Sequence, residues 1–161
     1  MRRARRRVAR GSLLVALLGE VSAGPARDHN LLWRHFTGVP SRVVATAEQD
    51  AAFESAATAD LRAAVGRHPD DPLLRGLIAD LRRASPRFES LWQERAVARH
   101  ASSRKTIRHP QVGPLTLDCD VLTVEGSDLR TVLYTAVPGA PDEDARALLR
   151  TIGTQFSGSP S

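Results

Sequence analysis

Apolar and polar residues alternate without a break from Leu115 to Val121. In an extended chain such alternation places the apolar members on one side and the polar members on the other. The apolar side holds Leu115, Leu117, Cys119 and Val121, and the polar side holds Thr116, Asp118 and Asp120. The stretch therefore predicts a half-buried antiparallel strand, and a strand of this kind needs both neighbouring strands and a layer to cover its apolar side.

Upstream of residue 100 the apolar spacing is helical instead. Helices are predicted at about 27–36, 41–65, 72–84 and 86–95. Downstream, short strands are predicted at 104–108 and 129–136, followed by a last helix that ends near Gly153. A run of helices followed by antiparallel strands predicts an α+β fold in which several helices pack on one antiparallel sheet.

Local signals set the helix ends. We expect Ser41 to cap the long second helix, and Gly66 to end it. The pairs Asp71-Pro72 and Ser85-Pro86 each combine a good capping residue with proline, whose fixed φ suits the first turn of a helix. The third and fourth helices are predicted to begin there.

The basic character of the chain is concentrated at its N-terminus. The formal net charge is +5, and the first ten residues contribute +6 without any acid, which leaves −1 for the rest. The six arginines are Arg2, Arg3, Arg5, Arg6, Arg7 and Arg10. Residues 1–11 are predicted to form a disordered basic arm, which is either simply solvated or makes non-specific contact with nucleic-acid phosphates through these arginines.

The same segment imitates a signal peptide. Basic residues precede a short apolar run at 13–18, and small residues follow at 22 and 23. The apolar run is too short to span a bilayer, which takes about 20 residues, so we expect no membrane association. A small exported protein, with residues 1–23 as a signal peptide, remains the alternative to a cytoplasmic one.

His109 and Cys119 are the residues that most resemble a reactive pair. Zinc sites show closely spaced pairs such as Cys-x2-Cys, which this chain lacks, and Cys119 falls on the apolar side of its strand. We therefore predict a buried inert thiol, a surface histidine before Pro110, and solvated carboxylates at Asp118 and Asp120. The known hydrolase, metalloprotease, nucleotide-binding and dinucleotide-binding signatures do not occur in the sequence. We predict no enzyme activity, no catalytic residue, no metal and no cofactor.

Several short segments, taken in order, resemble the MmyB-like ligand-binding domain found at the C-terminus of many XRE-type bacterial transcription regulators, especially in actinobacteria. They are 16–20 (ALLGE), 30–37 (NLLWRHFT), 59–64 (ADLRAA), 66–72 (GRHPDDP), 85–88 (SPRF) with 91–92 (LW), Lys105 with 109–118 (HPQVGPLTLD), and 134–139 (YTAVPG). The resemblance spans residues 12–153, which we take as the domain, and leaves 154–161 as a flexible tail.

The resemblance implies a PAS-like fold, with an antiparallel sheet and helices around an apolar cavity, and a fatty-acid-like apolar small molecule as ligand. DNA contact would come only through a helix-turn-helix that is missing here or supplied separately, and a homodimer is one option. Few polar groups are needed to hold an acyl chain. The candidate pocket residues are Trp33, Phe36, Trp92, Leu115, Leu117, Val132 and Tyr134, although each also suits ordinary core packing.

The chain departs from the family pattern in three ways. We expect the domain to stand here without the family's helix-turn-helix, so DNA binding does not carry over. The basic arm stands where the family has its first strand, which predicts a sheet that is either one strand short or poorly formed at that edge. Cys119 stands where the family usually has an aromatic residue, which removes volume from the core or pocket. We expect a sensor domain without its DNA-binding part, and an inactive remnant of a regulator is the other alternative.

Overall fold

A computed structural model describes residues 30–123 and 130–136 of the chain. These residues form four helices and a four-stranded antiparallel sheet, so the α+β prediction is confirmed. In chain order the elements are α1 (Leu31–Phe36), β1 (Val43–Val44), α2 (Ala47–Arg67), α3 (Pro72–Ala84), α4 (Pro86–Glu94), β2 (Ser103–His109), β3 (Gly113–Thr123) and β4 (Arg130–Thr135). The basic arm, which stands where the family has its first strand, lies outside the described residues, and so do the segment that imitates a signal peptide, the last helix and the tail.

Among the described residues, no helix combines the length and the apolar character that crossing a bilayer requires.

Helix α1 is shorter than predicted because Asn30 caps it. The Asn30 side-chain oxygen accepts hydrogen bonds from the backbone N–H of Leu32 at 2.9 Å and of Trp33 at 3.0 Å. A side chain that takes up the free N–H groups of the first turn fixes where a helix begins. The helix therefore begins at Leu31.

The prediction that Ser41 caps the long helix is wrong. The chain first forms β1, in which Val43 pairs with Ile107 of β2. Helix α2 begins only at Ala47, where Thr46 and Gln49 form a reciprocal capping box: Thr46 Oγ1 accepts from the Gln49 N–H at 3.2 Å and Gln49 Oε1 from the Thr46 N–H at 3.0 Å. The β-branched pair Val43–Val44 gains a strand partner, which the local sequence does not reveal.

The predicted end of α2 at Gly66 is also wrong, by one residue. The helix continues through Gly66 to Arg67 and ends at His68, whose φ of −133° and ψ of 64° are not helical. Proline clashes with a helical conformation of the residue before it. Pro69 therefore ends α2, and Gly66 lies inside the last turn.

The predicted starts of α3 and α4 are confirmed. The Asp71 side chain accepts from the N–H groups of Leu73 at 2.8 Å and Leu74 at 3.2 Å. Ser85 serves two helices: its N–H donates to Leu81 at the end of α3, and its hydroxyl accepts from the Phe88 N–H at 3.1 Å to begin α4. The proline after each cap has no N–H to leave unsatisfied.

The four helices pack around a group that we call the helical cluster. Its buried members are Leu61, Ile78, Leu81 and Phe88, and the partly buried residues packed on them are Leu32, Trp33, Phe36, Val65, Leu74, Leu77 and Trp92. Phe88 lies at the centre, with Phe36 edge-on at 5.0 Å and Trp92 stacked at 5.8 Å between ring centroids. Such aromatic pairs stabilise a core beyond the area they bury.

The sheet has the order β1-β2-β3-β4, and every neighbouring pair is antiparallel. Its register sets Ile107 opposite Leu115, Lys105 opposite Leu117, and Cys119 opposite Tyr134. Directly opposite residues project from the same side of a sheet. One side, which we call the inner face, carries Val43, Ser103, Lys105, Ile107, His109, Leu115, Leu117, Cys119, Val121, Val132 and Tyr134.

Helix α2 contacts both the helical cluster and the start of β2. Leu61 belongs to the helical cluster. On the side toward the sheet, the Gln49 amide donates to the Arg104 carbonyl at 2.8 Å, and the Lys105 ammonium lies 5.4 Å from the Phe53 ring centroid. The helix thus holds β2 in place beside the helical cluster.

Candidate ligand-binding face of the sheet

The apolar floor of the inner face is formed by Ile107, Leu115 and Leu117, which are exposed by no more than 1%. Val43, Val112, Tyr134 and Ala136 pack against them, and we call these seven residues the sheet cluster. The alternation in β3 produces this floor, because each second residue returns to the same side. The predicted half-buried strand is confirmed, and its apolar side is the inner one.

Cys119 is buried next to Tyr134 on the inner face. The thiol belongs to no disulfide and only 3% of the residue is exposed, so the prediction of a buried thiol is confirmed. Burial raises the pKa of the Tyr134 phenol well above its usual range, and the charge and hydrogen bond of Cys119 raise it further. The phenol is therefore neutral at physiological pH, and Cys119 lies directly opposite it.

His109 is buried, so the prediction of a surface histidine is wrong. Only 6% of the residue is exposed, and its Nδ1 accepts from the Gln111 N–H at 3.2 Å. The alternation in β2 places His109 on the same face as Ile107. Cys119 lies opposite Ser103, at the other end of β2 from His109. Six residues of extended strand separate 103 from 109, roughly 20 Å, so His109 and Cys119 do not form a metal or catalytic pair.

Lys105 is a cation on the apolar face. It lies opposite Leu117, is half-buried, and places its ammonium over the Phe53 ring at 5.4 Å. Lys105 takes part in none of the ion pairs formed among residues 30–123 and 130–136. Sequence reasoning missed this residue as a site candidate. The signal was available, since 103, 105, 107 and 109 alternate in β2 and Ile107 marks the inner side.

The opposite, outer face of the sheet is polar and internally paired. Arg104 Nε donates to Asp118 Oδ1 at 2.8 Å, and this bond lowers the pKa of the Asp118 carboxyl. Ser102 donates to Asp120. Both carboxylates lie on the polar face, as predicted, and each also accepts a hydrogen bond from the neighbouring chain segment. An open groove of about 430 Å³ is lined by Ser102, Ser103, Arg104, Asp118, Asp120 and Thr135.

The described residues bring together no group of three or more histidine, cysteine, aspartate or glutamate side chains that could hold a metal ion.

Six of the seven predicted pocket residues divide between the two clusters. Trp33, Phe36 and Trp92 pack on the helical cluster, whereas Leu115, Leu117 and Tyr134 lie in the sheet cluster. Val132 shares the inner face, opposite Val121, and is 42% exposed. The structure thus groups four of the seven on one surface, with Lys105 beside them, and places the three aromatic residues of the helices elsewhere.

Arg62 fixes the position of Trp92. Its guanidinium lies 5.2 Å from the Trp92 ring centroid and donates to the carbonyls of Leu91 at 3.0 Å, Trp92 at 3.1 Å and Ala96 at 3.1 Å. The last carbonyls of a helix have no partner within it. Arg62 of α2 therefore caps the end of α4, where Arg95 turns the chain with a φ of 52°.

One family model matches the chain, described as the MmyB-like transcription regulator ligand binding domain, over residues 2–149. No curated protein and no solved structure was found to match.

Proposed function

Because the chain belongs to the family of MmyB-like transcription regulator ligand-binding domains, we propose that it senses a fatty-acid-like small molecule. The proposed binding surface is the inner face of the sheet. Ligand sensing in a regulator, rather than the role of a small exported protein, is the hypothesis that the family match favours.

The observation that carries this proposal is the continuous apolar layer formed by three strands, whose central residues are almost completely buried, so that the layer has to open to admit a ligand. Ile107, Leu115 and Leu117 come from β2 and β3, and Tyr134 extends the surface onto β4. Small-molecule sites are mostly apolar, with a few polar groups that orient the ligand. An acyl chain needs such a surface, and the Tyr134 hydroxyl and Lys105 ammonium are polar groups at its margin.

The proposed mechanism is a shift of population. A ligand that binds one conformation better than another favours that conformation in proportion to its differential affinity. Helix α2 contacts both β2 and the helical cluster. A conformational change at the inner face would therefore be transmitted through α2 to the other helices. Transcriptional output would require a DNA-binding element, in the same chain or in a partner, and a cytoplasmic homodimer is compatible with this mode of action. We propose no catalytic step.

Urea unfolding in the presence of fatty acids of several chain lengths tests the proposal. A ligand that binds the folded state stabilises it by mass action, so at least one chain length should raise the unfolding midpoint. No change of the midpoint at any length would contradict the proposal.

Two neighbouring residues of β4 provide a matched pair of variants. Val132 on the inner face and Leu133 on the outer face are 42% and 45% exposed. Val132→Thr should weaken fatty-acid binding because it adds a hydroxyl to the proposed surface, and Leu133→Thr should leave binding unchanged. Equal effects of the two variants on the binding constant would argue against the inner face as the site.

A further inference from the structure

Lys105 is the one lysine of the chain, in which all other basic residues apart from histidine are arginine. It stands on the inner face, where its strand neighbour Ile107 and its cross-strand partner Leu117 are almost completely buried. The basic residues beside it in β2, Arg104 and Arg108, are exposed and belong to the outer face. Because residues of β2 alternate between the two faces, Lys105 is the one lysine or arginine of this strand that lies on the apolar face.

Lys105 is a half-buried cation beside an apolar layer. Removing an ammonium group from water is costly unless a counter-charge or hydrogen-bond acceptors replace the lost hydration. The partner that the described residues provide is the Phe53 ring, at 5.4 Å. A cation–π contact of this kind supplies no counter-charge to the ammonium. Arg104 shows the difference, since its guanidinium has Asp118 at 2.8 Å.

We propose that Lys105 anchors the acidic headgroup of the ligand, so that the ligand is an anionic amphiphile rather than a neutral apolar molecule. The inference rests on the proposed function and adds the residue that selects the headgroup. The ammonium sits where the apolar floor meets α2, with Leu117 directly across on β3 and Phe53 above. With a carboxylate at the ammonium, the acyl chain would run along Leu117 and the remaining sheet cluster, which has to open to admit it because Leu117 is only 1% exposed.

The geometry also explains why lysine suits this position. Its ammonium is a compact charge on a flexible apolar stem, and the stem can pack on the floor while the charge stays at the margin. A charge-assisted hydrogen bond from the ammonium to a carboxylate is about twice as strong as a neutral one. The pair would form only when a headgroup arrives, which makes binding depend on the charge of the ligand.

The test compares dodecanoate with dodecanol, which differ in the headgroup, by titration calorimetry on the full chain. Wild-type protein should bind dodecanoate at least about tenfold more tightly. Lys105→Met, which keeps the stem and removes the charge, should abolish most of this preference by weakening dodecanoate alone. Lys105→Arg should retain it. Arg108→Met removes an exposed cation from the outer side of the same strand and should leave both affinities unchanged.

The outcomes are distinct. Equal wild-type affinity for dodecanoate and dodecanol overturns the inference while the proposed function stands, and this comparison needs no variant to fold. A Lys105→Met protein that binds both ligands more weakly by the same factor, or keeps the full preference for the acid, shows a structural lysine and also overturns it. Binding of neither ligand by the wild type contradicts the proposed function itself.

Discussion

Tyr134 is the residue whose ionisation the fold alters most clearly. Burial and contact with Cys119 raise the pKa of its phenol, so the folded state keeps the proton at a pH where an unfolded chain, with a tyrosine pKa of about 10, loses it. The contribution of Tyr134 to the free energy of unfolding should therefore be fully present below about pH 10, and should be lost as the pH rises further toward the folded-state pKa.

The measurement is simple because Tyr134 is the single tyrosine of the chain. Phenolate absorbance should appear at higher pH in the folded protein than in urea-unfolded protein. Tyr134→Phe should reduce the alkaline loss of stability in urea melts. Identical phenol titrations in the folded and unfolded states would show that the hydroxyl is not buried beside Cys119.

Arg62 contributes to stability through three hydrogen bonds to backbone carbonyls at and after the end of α4. Arg62→Met leaves the carbonyls of Leu91, Trp92 and Ala96 without their described side-chain donor and removes the charge over the indole. We expect a loss of roughly 2 kcal/mol in the free energy of unfolding, since hydrogen bonds to charged groups are worth more than neutral ones. Urea melts measure it, with Arg75→Met on the exposed side of α3 as the control. A loss no larger than in that control would contradict the capping role.

At the scale of elements, the start of α2 shows what local sequence leaves undecided. Ser41 and Thr46 are both acceptable caps, and only the pairing of Val43 with Ile107, distant in the chain, selects the second. In contrast, Asp71-Pro72 and Ser85-Pro86 were predicted correctly because cap and proline act within one turn. Long-range pairing is therefore the reason that one helix start was missed and two were found.

The cap assignment predicts unequal effects of two similar substitutions. Thr46→Ala should lower the free energy of unfolding by about 1 kcal/mol, the usual cost of removing a helix cap. Ser41→Ala should lower it by less than half as much, because the Ser41 hydroxyl accepts one exposed bond, from the Val43 N–H at 3.1 Å. Chemical denaturation of both variants measures the difference. A larger effect at Ser41 would contradict the observed start of α2.

At the scale of the whole molecule, the described residues form two apolar clusters joined through α2. His100 Nε2 lies 3.2 Å from Asp60 Oδ2, and Gln49 and Phe53 contact the first residues of β2. The sequence predicted pocket residues that belong to both clusters, namely Trp33, Phe36, Trp92, Leu115, Leu117 and Tyr134. It could not separate Trp33 from Leu115, because periodicity defines the apolar side of each element but not which sides meet.

Lys105 illustrates the same limit at the candidate site. The alternation in β2 was sufficient to place it on the side of Ile107, but its nearness to Phe53 depends on how α2 packs against the sheet. The predicted pocket therefore included three aromatic residues of the helical cluster and omitted the cation of the sheet.

The central claim is that the ligand binds at the inner face of the sheet and not within the helical cluster. Methyl NMR spectra of the full chain, recorded during a titration with dodecanoate, distinguish the two surfaces. We predict that the largest shift changes occur at the methyl groups of Leu115, Leu117 and Val132, while those of Leu77 and Leu81 change little. Changes concentrated at Leu77 and Leu81, or no changes at saturating dodecanoate, would contradict the claim.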